Sequence, residues 1–163
     1  MAKKKDEKTN VMRLLEQKKI PYIPHTYPHE EGEAVDGVTV AALLGQDPGR
    51  VFKTLVTKGA SGGYYVFDIP VAESLDLKKA AKAVGEKSIA MLPAKDLLPL
   101  TGYVHGGCSP VGMKKLFPTV FHESCLNCET MMVSAGRIGF QVEAKPADLM
   151  ALVRACSADL VTE

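Results

Sequence analysis

Three glycines, a Ser-Pro step and two lysines stand together in GGCSPVGMKK, residues 106–115. Glycine tolerates left-handed backbone and lets a ligand approach bare main chain. Successive exposed N–H groups bind an anion or stabilise an ester oxyanion, and Lys114 and Lys115 would add charge for a phosphate. The pattern fits neither the P-loop nor the dinucleotide fingerprint, so spacing alone leaves a strand-to-loop corner followed by solvated lysines as an equal alternative. Lys53, in VFKTLVTKG (51–59), is a second candidate. Under strict alternation it shares a face with Val51 and Leu55, opposite Phe52 and Thr54. A lysine on an apolar face needs a partner or a ligand; by spacing alone, an edge lysine that blocks strand pairing is the commoner explanation.

HESCLNC (122–128) sets His122, Cys125 and Cys128 at metal-ligand spacing. One CxxC is half a tetrahedral site, and His105, Cys108 and Cys156 form no second pair. The CxxC also does not lie between a strand and a helix start, as a redox motif would. No metal and no cofactor are expected. There is no GxSxG elbow, and His25, His29, His105 and His122 declare no triad by spacing, although folding can assemble one. Met131 and Met132 read as half core and half surface.

The elements that must position these residues follow from periodicity. The 163 residues, 46% hydrophobic, favour a single domain with a real core. Residues 1–8 read as a flexible basic tail before a domain over 9–163. A helix is predicted from Thr9 or Asn10 to about Lys19, burying Val11, Leu14, Leu15 and Ile20. PYIPHTYPH (21–29) is an edge strand or loop, and acidic, turn-rich EEGEAVDG follows. Residues 39–45 form a short helix capped by Thr39 and stopped by Gly45. Strands over 51–59 and 64–70 form a hairpin. A helix over 74–85, capped by Asp76 or Ser74, turns Leu77, Ala80, Ala81 and Val84 inward. A strand over 87–92 and a helix over 94–100, stopped near Pro99, come next. A strand over 101–107 runs into the glycine loop. Three strands (119–124, 129–136, 138–144) and a helix over 146–156, with Leu149, Leu152 and Val153 inward, complete the chain. The predicted class is α+β, with a mixed, largely antiparallel sheet and flanking helices.

Charge and targeting narrow the function classes. Twenty basic and nineteen acidic residues give a net charge of +1, a weak footprint for holding nucleic acid unaided, though a local patch matters more than the sum. MAKKKDEK is not followed by an apolar segment, so no signal peptide is read, and no run of about 18 apolar residues offers a membrane span. Four cysteines without a secretory signal are expected as reduced thiols in the cytoplasm.

Five segments taken together resemble the YbaK/EbsC family of aminoacyl-tRNA deacylases: PYIPHTY, VFKTLV, LKKAAKAVG, TGYVHGGCSPVGMKK and VSAGRIGFQVE. They run in register from about residue 11 to residue 154. They are most similar to the branch acting on Cys-tRNA(Pro), and similar also to the editing domain of bacterial prolyl-tRNA synthetase, whose fold the resemblance implies. It further implies a trans-editing hydrolase that removes cysteine from tRNA(Pro), a task that exists because small apolar pockets separate near-isosteric side chains poorly. Its implied catalytic positions are Lys53, Gly106, Gly107 and Ser109. Its implied substrate-binding positions are Tyr27, Thr54, Pro110, Gly112, Ser134 and Gly136. Cys108 stands where the family has an aliphatic residue, and Ala135 where glycine is common. The implied chemistry is attack by the substrate's own thiol on its ester carbonyl, releasing a thiolactone, with the protein orienting and stabilising. The implied partners are aminoacylated tRNA(Pro) and prolyl-tRNA synthetase, with no membrane and no metal. The alternatives are a sister deacylase for Ala-tRNA or another small amino acid, a non-catalytic module for a tRNA end or nucleotide, and a small zinc protein.

Overall fold

The computed structural model describes residues 8–163. The expected tail, residues 1–8, lies outside the described residues except for Lys8, whose Nζ pairs with Glu16 at 2.9 Å. The strands are β1 (Ile23–Thr26), β2 (Phe52–Gly59), β3 (Tyr64–Pro70), β4 (Ile89–Met91), β5 (Thr119–His122), β6 (Met131–Ser134), β7 (Phe140–Ala144) and β8 (Cys156–Ala158). The helices are α1 (Asn10–Gln17), α2 (Gly37–Leu43), α3 (Leu77–Val84), α4 (Ala94–Thr101) and α5 (Pro146–Val153).

The hairpin forms as its alternation predicts, with β2 and β3 in register from Phe52 opposite Pro70 to Lys58 opposite Tyr64. It is the centre of a five-stranded sheet ordered β4-β2-β3-β5-β8. A three-stranded sheet ordered β1-β7-β6 lies alongside, joined through a parallel bridge from Val51 to Met132. Among the strands of the described residues, β3–β5 and β5–β8 pair in parallel and the other pairs are antiparallel. The α+β class with mixed, largely antiparallel pairing is thus what forms, its strands shared between two sheets.

Adjacent residues on β3 enter different cores, as a period of two requires. Val66 joins a cluster with Val11 and Leu15 of α1, Leu149 of α5, and Phe52, Met131 and Val142. Phe67 joins Ile69, Ile89, Leu160 and the Ala80–Ala81 face of α3. The helices therefore cover both faces of the five-stranded sheet. Thr9 caps α1 by accepting the Met12 N–H, and Asp76 caps α3.

Several boundaries differ from the periodicity reading, each for a local reason. α2 begins at Gly37, because the Asp36 carboxylate accepts both the N–H and the hydroxyl of Thr39. Leu77 is largely exposed, leaving Ala80 and Ala81 to make the buried face of α3. α4 runs past Pro99 to Thr101 and ends at Gly102, in the left-handed region; a proline removes one donor, and this helix is too short to need them all. Residues 101–107 form no strand. Thr101 Oγ1 donates to Leu97 O and accepts the Tyr103 N–H, while Tyr103 Oη donates to Val111 O at 2.5 Å. Side chains thus satisfy this backbone where a ladder was expected. The last helix stops at Val153, because Arg154 turns left-handed and the chain re-enters the sheet as β8.

Gly136 marks how tightly the second sheet meets the segment around Tyr103. It sits at φ +94°, and a Cβ there would lie 3.0 Å from Tyr103 Cε1 and 3.2 Å from Val11 Cγ2. Gly136→Ala is expected to lose about 1–3 kcal/mol of stability. Urea unfolding should show this as a lower midpoint at unchanged slope.

Candidate active site

β3 pairs along the whole of one side of β2, but β4 pairs on the other side only from Thr57 to Gly59. The bridge at Val51 closes the far end. Between these points the open edge of β2 borders a cavity of about 330 Å³. This explains why five successive residues, 51–55, line it where alternation assigned Lys53 and Thr54 to opposite faces. Val40 of α2, Val71 and Leu97 of α4 supply apolar wall; Tyr27, Ser134, His105, Gly106 and Cys108 also line it. The volume lies at the small end of the range for ligand sites.

Lys53 brings a cation to this wall. Its ammonium is half-buried, and no carboxylate among the described residues lies within ion-pair distance. Burial lowers its pKa from the usual lysine range, against the opposing pull of Glu73. Thr54 donates its hydroxyl to Asp68 Oδ1 at 2.6 Å. Asp68 is fully buried, and its Oδ2 has no partner among the described residues. Desolvation raises this carboxyl to about 7, with the Thr54 hydrogen bond acting the other way. Tyr27 is buried and tied by its N–H to Gly139 O. Ser134 is buried, with its Oγ accepting the Gly136 N–H at 3.2 Å.

The glycine loop divides between wall and support. Gly106, at φ +88°, lines the cavity and packs so closely on Ala34 that a Cβ would come within 2.7 Å of the alanine Cβ. The Gly106 and Cys108 N–H groups make no hydrogen bond among the described residues, and both residues line the cavity. Gly107 donates its N–H to Val104 O at 3.0 Å and packs on the backbone of residues 137–138. Ser109 is fully buried and its Oγ accepts the Val111 N–H. Pro110 and Gly112 border a separate, smaller depression with Leu14 and Leu152, and a Cβ at Gly112 would come within 2.8 Å of the Tyr103 hydroxyl. Lys114 donates to Pro99 O, and Lys115 is exposed. The structure therefore brings together Lys53, Thr54, Tyr27, Gly106 and Ser134, and sets Gly107, Ser109, Pro110, Gly112 and Gly136 behind or beside them.

Some polar residues on or under this wall were not singled out in the sequence, Asp36 at the start of α2 among them. Asp68 is another. So is Gln141: it faces Ser134 across the β6–β7 ladder, is buried, and its Oε1 has no partner among the described residues. The available signal was a polar side chain at an inward position of alternating IGFQVEA. The CxxC region is engaged elsewhere. His122 Nδ1 accepts the Leu160 N–H, and Cys125 is buried. Among the described residues, no group of three or more His, Cys, Asp or Glu is arranged to hold a metal, and no helix is long and apolar enough to cross a membrane.

Known proteins resemble this chain in sequence and in fold. Residues 31–152 match the aminoacyl-tRNA editing domain family. An Enterococcus faecalis protein assigned as a Cys-tRNA(Pro)/Cys-tRNA(Cys) deacylase, EbsC, is 46% identical over 100% of this chain and 99% of its own length. A crystal structure assigned as a trans-editing enzyme for prolyl-tRNA synthetase superposes with a TM-score of 0.80 at 27% identity, over 94% of this chain and 95% of that one. A further crystal structure, of a hypothetical protein, shares the fold at a TM-score of 0.82 and 24% identity, over 93% and 99% of the two chains.

The buried carboxyl makes stability depend on pH. Asp68 binds its proton more tightly folded than unfolded, so its contribution is fully present below the ordinary aspartate range and is lost as pH rises toward about 7. Asp68→Asn is expected to remove this fall: urea unfolding from pH 4 to pH 8 should show the variant gaining on the native protein as pH rises.

Proposed function

The chain belongs to the aminoacyl-tRNA editing domain family, and on that premise we propose that it deacylates tRNA(Pro) mischarged with cysteine. The observation that carries the reading is the juxtaposition of an unpaired cation, Lys53, with two unengaged backbone donors, Gly106 and Cys108, in a cavity of otherwise largely apolar wall. An aminoacyl ester presents what such a wall recognises: a carbonyl oxygen that becomes negative in the transition state, beside a phosphorylated nucleotide. The Gly106 and Cys108 amides stabilise the oxyanion. Lys53 holds the ester region or the terminal nucleotide. Tyr27, Thr54, Ser134 and Gln141 shape the space around the amino acid and give it hydrogen bonds. Gly107, Ser109, Pro110, Gly112 and Gly136 act as supports that hold the loop and its neighbours in place.

No nucleophile from the protein is needed in this reading. The cysteine thiol attacks its own ester carbonyl, and an intramolecular attack gains effective concentration once the geometry is held. Residues 9–163 act as the deacylase domain. A net charge of +1 gives weak, salt-sensitive affinity for tRNA alone, and prolyl-tRNA synthetase supplies the remaining hold in the cytoplasm.

The test is hydrolysis of Cys-tRNA(Pro), Ala-tRNA(Pro) and Pro-tRNA(Pro) in parallel. Loss of cysteine alone is expected, slowed about 100-fold or more by Lys53→Ala. Loss of alanine in its place would move the chain to a sister specificity. No hydrolysis of any substrate, even with prolyl-tRNA synthetase present, would identify a binding module.

A further inference from the structure

Thr54 stands on the cavity wall and at the same time donates to a carboxylate sealed beneath it. The two residues are direct cross-strand partners, Thr54 on β2 and Asp68 on β3, so the hydrogen bond is set by sheet register. Among the described residues, nothing else engages Asp68: no cation pairs with it, and its Oδ2 is unpartnered. An acid buried without a cation weakens a fold, so its place in the molecule calls for another account. We propose that Asp68 is a positioning residue of the deacylation: through Thr54 it takes up the proton that the substrate's thiol must lose. This rests on the reading of the substrate as a cysteinyl ester.

The step balances. The thiol S–H bond breaks and its proton passes to Thr54 Oγ1, while Thr54 gives its own proton to Asp68 Oδ1. The thiolate electron pair forms the S–C bond at the ester carbonyl, and the C–O bond to the ribose breaks. The proton on Asp68 returns through Thr54 to the departing ribose oxygen. Thiolactone and free tRNA leave, and Asp68 is again a carboxylate. The titratable groups in electrostatic reach of Asp68 are Cys108 on the glycine loop and Cys125 after β5. Burial holds these thiols at about 12 and about 11, so both stay neutral around it. Asp68 itself titrates at about 7, which makes its carboxylate available at neutral pH.

Single-turnover loss of cysteine from Cys-tRNA(Pro) between pH 5.5 and 8.5 tests this. In the native protein the rate should rise with pH and level off near the titration of Asp68. Asp68→Asn and Thr54→Val should each lose about 100-fold in rate, Asp68→Asn with little change in substrate affinity. Both should lose the levelling-off, and the double variant should be no slower than either. Thr54→Ser, which keeps the hydroxyl, should retain most activity. If Asp68→Asn does not fold, the Thr54→Val and Thr54→Ser pair carries the same comparison with Asp68 in place. Native-like rate and pH profile in Asp68→Asn, or a loss confined to Thr54→Val, would overturn the proposal while leaving the deacylase reading intact. A native protein inert toward every cysteinyl ester would instead remove that reading, and this proposal with it.

Discussion

The ladder between β2 and β3 is the constraint on which the rest of the molecule depends. β4 attaches to its outer side, β5 to the other, β8 to β5, and the second sheet joins through Val51. The cavity exists because this construction is incomplete, since β4 stops at Thr57 and the bridge touches only Val51. Folded proteins leave few buried polar groups unsatisfied, yet Gln141 Oε1 and Asp68 Oδ2 are two such atoms on or under this one wall, beside the half-buried Lys53 and the unbonded Gly106 and Cys108 amides. Their coincidence at a break in a sheet is what distinguishes this wall as a place to hold a ligand.

The same register joins two chemistries that sequence separation hides. Thr54 and Asp68 are fourteen positions apart but directly opposed. Ser134 and Gln141 are opposed in the other sheet. Each pair consists of one residue that resemblance brings forward and one that it does not. Resemblance picks out individual positions, whereas pairing adds what stands across from them.

What could be read beforehand was whatever depends on near neighbours. The hairpin was legible because VFKTLVTKG and YYVFDIP alternate about a glycine-rich turn, and α1 and α3 because their caps and apolar spacing agree. Lys53 and Thr54 were legible as site candidates, but strict alternation assigned them to opposite faces; only the open edge of β2 brings both to one wall. β8 was not legible, since three residues after a left-handed Arg154 become a strand only because β5 offers an edge. The segment 101–107 has strand-like composition, but the Thr101 side chain claims the Tyr103 N–H and the Tyr103 side chain ties the segment to Val111 O. Ser109 looks like a site residue in the sequence, and its full burial against the Val111 N–H is a fact of loop geometry alone.

Cys108 is a thiol in the wall of a cavity read as handling a thiol ester-forming substrate. A thiolactone is an acylating agent, and a reactive cysteine beside it would be consumed by its own product. Burial raises Cys108 to about 12, so its thiol stays neutral at pH 7. The wall can therefore carry sulfur without becoming a target for alkylation, glutathionylation or self-acylation. Among the described residues the exposed cysteine is Cys156, on β8, so a fluorophore attached there would leave the cavity wall unmodified.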